Sequence, residues 1–198
     1  MKDIILTGPK HAGKTCVGKI LAPFCSGIRG SGCEHSFSCV FFDIDDMVFE
    51  KTGKTPRELY GEGKNIFQKA EAEAAAALFN INCRDNASPC RAGQQRRIIA
   101  AGGGIIDNQE AIAIIKNSGA TIVCLNISAN LAWQRIYGFG SKELPLFLQT
   151  ENPQETHRIL HEKRGAAYLE LADIIINAED KTPEEIAVEI LNSITGKA

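Results

Sequence analysis

With 198 residues, 44% of them apolar and 23% charged, the chain has the size and composition of one globular domain able to bury a substantial core. Its formal charge of −2 gives no electrostatic reason to expect nucleic acid, so a nucleotide is a better guess than a polymer. No apolar stretch approaches the roughly 18 residues of a membrane span, and Met1-Lys2-Asp3 enters the first strand with no secretory pattern; the seven cysteines, odd in number and irregularly spaced, read as reduced thiols of a cytoplasmic protein.

Residues 2–7 read as a buried strand, and a helix is expected over residues 14–24. Between them lies Gly8-Pro9-Lys10-His11-Ala12-Gly13-Lys14-Thr15, which fits the phosphate-binding pattern GxxxxGK[ST] in a strand–loop–helix context. Such a loop points successive N–H groups and a helix N-terminus at an anion. His11, Ala12, Gly13, Lys14, Thr15 and Cys16 are therefore the candidate nucleotide-binding residues. Lys14 would bring a mobile positive charge to the β- and γ-phosphates, and the Thr15 hydroxyl would ligate Mg²⁺.

Residues 25–38 are rich in Gly and Ser and read as an inserted loop. Val40-Phe41-Phe42-Asp43 is a short strand that delivers a carboxylate at its end, followed at once by Ile44-Asp45-Asp46. Helical periodicity runs through Met47-Val48-Phe49, breaks at Gly53 and resumes over residues 56–60, where Thr55 and Glu58 can form a capping box. A longer helix is expected over residues 65–79, then a second irregular insertion over residues 80–96. The third strand, residues 97–101, leads into Gly102-Gly103-Gly104 and a helix over residues 108–117. A strand over residues 121–125, a helix capped by Ser128 and ending near residue 137, a loop over residues 138–152, a helix over residues 153–171, a strand over residues 174–176 and a last helix opened by Thr182-Pro183-Glu184-Glu185 complete the chain. Alternating strands and helices call for a doubly wound parallel α/β sheet.

Ligands of such a sheet sit beyond the carboxyl ends of its strands, where the phosphate loop, the segment 43–46 and the three glycines would meet. Asp43 would lie near Thr15 and share the metal. Asp45 would face an acceptor hydroxyl, orient it and accept its proton. Helix capping is the structural reading of both carboxylates, and Asp46 reads as a cap or a solvated residue. His157, His161 and Lys163 read as solvated. Cys25, Cys33, His35, Cys39, Cys83 and Cys90 could converge on a structural Zn²⁺ at the opposite edge, but their spacings fit no CxxC site and plain thiols are the preferred reading.

Taken together, GPKHAGKT, Phe42-Asp43-Ile44-Asp45, Gly61-Glu62 ahead of Phe67 and Glu71, Gly102-Gly103-Gly104, Arg135, Pro145-Leu146, and Arg164 four residues before Tyr168 resemble the shikimate kinase family over nearly the whole chain. The resemblance implies a three-layer α/β/α domain spanning residues 1–198, with a five-stranded parallel sheet of order 2-3-1-4-5, a substrate-binding lobe over about 44–80 and a lid over about 138–152. It implies an ATP- and Mg²⁺-dependent monomer that phosphorylates shikimate, with no nucleic-acid or membrane partner. Residue by residue, Lys14 and Asp45 would be catalytic, Thr15 and Asp43 metal-linked, and Arg135 an adenine-side contact. Asp45, Gln68, Gly102, Gly103, Gly104 and Arg164 would meet the substrate.

Two positions depart from the family pattern. Gln68, followed by Lys69, stands where a second carboxylate-binding arginine is expected, and Leu144 precedes Pro145-Leu146 where the lid carries arginine. Losing one charge-assisted hydrogen bond costs about 1.5–3 kcal/mol, which Lys69 could partly restore. A missing arginine on a transferring phosphoryl group can cost on the order of 10³–10⁵ in rate, so the lid is the larger departure; Lys142 is the candidate replacement. The same fold acting on another small hydroxy acid, or a nucleotide-binding module without transfer, stays open at this point.

Overall fold

The computed structural model describes residues 2–26, 38–80, 95–138 and 144–196. Within them β1 (Ile4–Thr7), β2 (Ser38–Asp43), β3 (Gln95–Ala100), β4 (Thr121–Asn126) and β5 (Ile174–Asn177) form one parallel sheet of order β2-β3-β1-β4-β5, as expected. The intervening helices are α1 (Lys14–Ser26), α2 (Ile44–Thr52), α3 (Pro56–Glu62), α4 (Lys64–Asn80), α5 (Gln109–Asn117), α6 (Ala129–Gly138), α7 (Pro153–Leu171) and α8 (Pro183–Thr195). Of these described helices none is long and apolar enough to cross a membrane.

β1 is buried along its length because it lies mid-sheet with helices over both faces. The period of two still sorts its side chains. Ile4 and Leu6 join Val17 and Leu21 of α1 and Ile186 and Ile190 of α8, whereas Ile5 joins Ala75 and Leu78 of α4 and Ile115 of α5. The sheet is thereby sandwiched between two separate cores. Gly18, in the middle of α1, lets β2 come close: a Cβ there would stand 2.2 Å from the Phe41 ring. A mid-helix glycine costs about 1 kcal/mol, which the ring packed on bare backbone offsets.

Register fixes where the functional segments emerge. Leu6 lies opposite both Ala100 and Val123, and Asp43 lies opposite Ala100, so β1, β2 and β3 end level with one another. The Ala101 N–H then donates to the Leu6 carbonyl at 2.9 Å, carrying the pairing one residue further. The loop 8–13, the start of α2 and the three glycines therefore share one edge of the sheet.

The expected caps are present: Thr55 with Glu58 and Thr182 with Glu185 form capping boxes, Pro183 opens α8, and the Ser128 hydroxyl accepts from the Leu131 N–H. Both insertions are shorter than their composition suggests. α1 runs through Pro23 to Ser26, whose hydroxyl donates to the Ala22 carbonyl and accepts from the Cys39 N–H, and β2 already begins at Ser38. Likewise α4 reaches Asn80 and β3 begins at Gln95. Local composition could not register these long-range partners. Cys33, His35, Cys83 and Cys90 lie outside the described residues; among the described ones Cys25 and Cys39 are free thiols and no metal-binding cluster occurs. The stretch 44–80, expected as a substrate-binding lobe, comprises α2, α3 and α4, and of the expected lid, residues 139–143, with Lys142, lie outside the described residues.

Candidate active site

The segments at the level edge enclose a cleft of about 710 Å³. One wall is the phosphate loop. Lys14, the first residue of α1, is only 8% exposed and donates to the carbonyls of Gly8 and Pro9 at 2.9 and 2.8 Å. The loop curls back far enough for its own carbonyls to hold the ammonium. Burial lowers its pKa to about 8, against the opposing pull of Asp45 and Asp43. His11 adopts a left-handed backbone, φ +64°, which costs an L residue roughly 1–2 kcal/mol, and its carbonyl accepts from Arg135 Nη1 at 3.0 Å. Burial and the surrounding cations push its imidazole down to about 4, so it is neutral near pH 7.

Asp43 lies beside Thr15 and also caps α2. Its Oδ2 accepts from the Thr15 hydroxyl at 2.7 Å and its Oδ1 caps α2 by accepting from the Asp45 N–H at 3.0 Å. One carboxylate thus ties the end of β2 to the start of α1 across β3. Asp45 follows in the first turn of α2 and faces the cleft; burial raises its pKa, the neighbouring Asp43 adds to the rise, and Lys14 and Lys10 oppose it.

The opposite wall is built on α4, the three glycines and α7. Glu71 is 1% exposed; its Oε2 accepts from Asn108 Nδ2 at 2.9 Å, while Oε1 is buried with no hydrogen-bond partner among the described residues. Burial raises this carboxyl to about 7. A Cβ at Gly102 would stand 2.9 Å from Glu71 Oε1 and 3.1 Å from Asp45 Oδ1, so two carboxylates converge over bare backbone. At Gly103 a Cβ would stand 2.8 Å from Lys10 Cα and N, backbone pressed on backbone. Gly104 has only an ordinary contact, 3.6 Å to Arg164 Nη2. Two of the three glycines are therefore required by close approach.

Arg164 reaches the cleft from α7, held by Asp107, whose Oδ2 accepts from Nε and Nη2 at 3.1 and 2.6 Å, and lying over the Phe147 ring. Arg135, Ile136, Pro183 and Ile186 line the far end beyond the phosphate loop. Gln68, by contrast, does not reach the cleft: its Nε2 donates to the Asp107 carbonyl at 2.9 Å, and Lys69 is exposed outside the wall. Both corrections have one cause, since α4 turns Phe67 and Glu71 inward and the positions between them sideways. Asp46 is exposed, as read. His157 is buried beside Trp133, ring centroids 5.5 Å apart, with His161 next to it; a pair of histidines four apart on a polar helix gave no sign of that packing.

Sequence reasoning passed over Lys10, Arg57, Tyr60 and Phe147, all of which line the cleft. Lys10 occupies an unspecified position of the loop motif, and Arg57 lies on the short helix α3, whose placement depends on tertiary packing.

A family model described as "Shikimate kinase" matches residues 10–195. The chain is 31% identical over 192 residues to the shikimate kinase of Thermodesulfovibrio yellowstonii, covering 96% of this chain and 94% of that one. It is also 31% identical over 195 residues to the shikimate kinase of a Sulfurihydrogenibium species, covering 98% of each. Among solved structures, shikimate kinase from Acinetobacter baumannii in complex with shikimate superposes with a TM-score of 0.75 at 27% identity, covering 99% of this chain and 94% of that one.

Proposed function

This chain belongs to the shikimate kinase family, and on that premise we propose that its cleft transfers the γ-phosphate of ATP to the 3-hydroxyl of shikimate. The observation that carries the reading is the line from Thr15 through Asp43 to Asp45, which joins a phosphate-binding helix start to a carboxylate facing the acceptor space. ATP lies along the loop with its base toward Arg135. Loop amides and Lys14, still charged at neutral pH, meet the phosphates, the ammonium exchanging its carbonyl partners for phosphate oxygens. The Thr15 hydroxyl and Asp43 Oδ2, two hard oxygens 2.7 Å apart, suit Mg²⁺, which when bound would neutralise the phosphates.

On the other side Arg164, aimed by Asp107, takes the substrate carboxylate, and the backbone at Gly103 borders the ring. Asp45 orients the hydroxyl and receives its proton as the oxygen bonds to phosphorus and ADP departs.

ADP release from Mg²⁺-ATP with shikimate as acceptor tests the reading, with Asp45→Asn as control. Turnover abolished by the substitution supports it; ATP binding without turnover on shikimate refutes the acceptor. Gln68 turned away from the cleft favours one other reading, a different small hydroxy acid as acceptor, which turnover on a panel of such acids in preference to shikimate would establish.

A further inference from the structure

Phosphoryl transfer moves a multiply charged group toward Asp45, in a cleft that Asp43 and Glu71 also line. The acceptor side therefore calls for a cation, and most of the cations lining the cleft are already committed. Lys14 lies at the base of the loop on the donor side. Arg135 is bound to the His11 carbonyl at the far end, Arg164 to Asp107, and Lys181 to Glu189 at 2.5 Å. Lys10 and Arg57 are the other two lysine or arginine side chains lining the cleft among the described residues, Lys10 on the phosphate loop where it meets Gly103 and Arg57 on α3.

Lys10 has the better location of the two. Its backbone is pressed against Gly103, where a Cβ would come within 2.8 Å of Lys10 N and Cα, so its Cα is fixed at the seam between phosphate loop and acceptor loop. Its side chain lines the cleft, where burial lowers its pKa most, Asp45 opposes that shift and Arg57 adds to it, so both charges act on the ammonium. Arg57 in turn is tethered by a long hydrogen bond, 3.5 Å, from Nη2 to the Leu144 carbonyl.

We propose that Lys10 is a catalytic residue of this chain, placing its ammonium on the γ-phosphoryl group as that group reaches the acceptor hydroxyl. This deepens the kinase reading and rests on it. In the step, the acceptor oxygen forms a bond to the γ-phosphorus, the bond from that phosphorus to the β–γ bridging oxygen breaks with its electron pair leaving on ADP, and the hydroxyl proton passes to Asp45. Lys10 exchanges no proton; it offsets charge on the equatorial oxygens from the acceptor side while Lys14 does so from the donor side.

The test compares wild type, Lys10→Met and Lys10→Arg in the full-length protein. For Lys10→Met, kcat with shikimate should fall by about 10²–10³-fold. The Kd for Mg²⁺-ATP should change less than about threefold, and Lys10→Arg should restore most of the rate. A merely structural Lys10 would shift ATP affinity and thermal stability and would not be rescued through charge. A kcat for Lys10→Met within threefold of wild type overturns the proposal. Retention of ADP by fluoroaluminate, a stand-in for the transferring group, separates this failure from failure of the acceptor assignment. If wild type does not turn over shikimate, at least tenfold weaker retention by Lys10→Met still upholds the role of Lys10, and equal retention rejects it.

Discussion

The two walls of the cleft differ in how completely their polar groups are satisfied. On the phosphate-loop wall Lys14 has two carbonyls, Thr15 has Asp43, and Arg135 has the His11 carbonyl. On the acceptor wall Glu71 keeps a buried oxygen without a partner among the described residues, and the carboxyls of Glu71 and Asp45, both with raised pKa, converge over Gly102. The first wall is organised before any ligand arrives. The second holds carboxyls whose burial opposes their charge and which a ligand with hydroxyl donors can satisfy, which makes it the wall where stability is given up for recognition.

Breaking the acceptor wall at its centre should have the largest effect. Asp45→Asn keeps the shape and the cap of α2 but removes the carboxylate proposed to accept the proton, so kcat should fall about 10²–10⁴-fold in a coupled ADP assay while Kd for ATP stays nearly constant. An equal loss of ATP affinity would mean that Asp45 belongs to the donor wall.

Glu71→Gln should sharpen the contrast through stability. The Glu71 carboxyl is raised in the folded chain, from 4.5 to about 7, so its contribution to stability is complete below pH 4.5 and is lost as pH rises to 7. The loss is on the order of 3 kcal/mol at most. In the absence of substrate, Glu71→Gln should therefore raise the melting temperature at pH 8 and flatten its fall between pH 4.5 and 7. A variant that melts lower than wild type at pH 8 would show the carboxylate to be satisfied after all.

Thr15→Val attacks the donor wall, where a saturated network should respond in the opposite sense. It leaves Asp43 Oδ2 without its donor, costing about 1.5–3 kcal/mol of stability. Mg²⁺-ATP affinity, followed by titration calorimetry, should weaken, and shikimate affinity should change little. The smallest effect is expected at His11. His11→Gly removes left-handed strain worth roughly 1–2 kcal/mol and adds about 0.5–1 kcal/mol of chain entropy, a net stabilisation of about 0–1.5 kcal/mol. ATP affinity should persist, because Arg135 bonds to the His11 carbonyl and not to the imidazole.

The donor wall was legible in the sequence because its chemistry is local. Eight consecutive residues set the loop, and a strand ending in Asp43 places the partner of Thr15. The sheet order followed from resemblance and from alternating strands and helices. The acceptor wall was read less well. Gln68 and Lys69 sit beside Phe67 in sequence but leave the cleft by the rotation of α4, and Lys10 and Arg57 enter it by packing that no motif records. His157 was hidden for the same reason, since its burial comes from Trp133 on another helix. Where a role depends on a neighbour in the chain the letters suffice, and where it depends on a neighbour across the fold they do not.

The contact between Gly103 and Lys10 ties the two walls together mechanically. The two backbones lie too close for a side chain between them, so movement of either loop toward the other displaces it. Whatever order one substrate imposes on its own loop is felt by the partner loop, so the two substrates are expected to bind with cooperativity. Thermodynamic reciprocity then makes the factor by which nucleotide tightens the acceptor equal to the factor by which acceptor tightens the nucleotide.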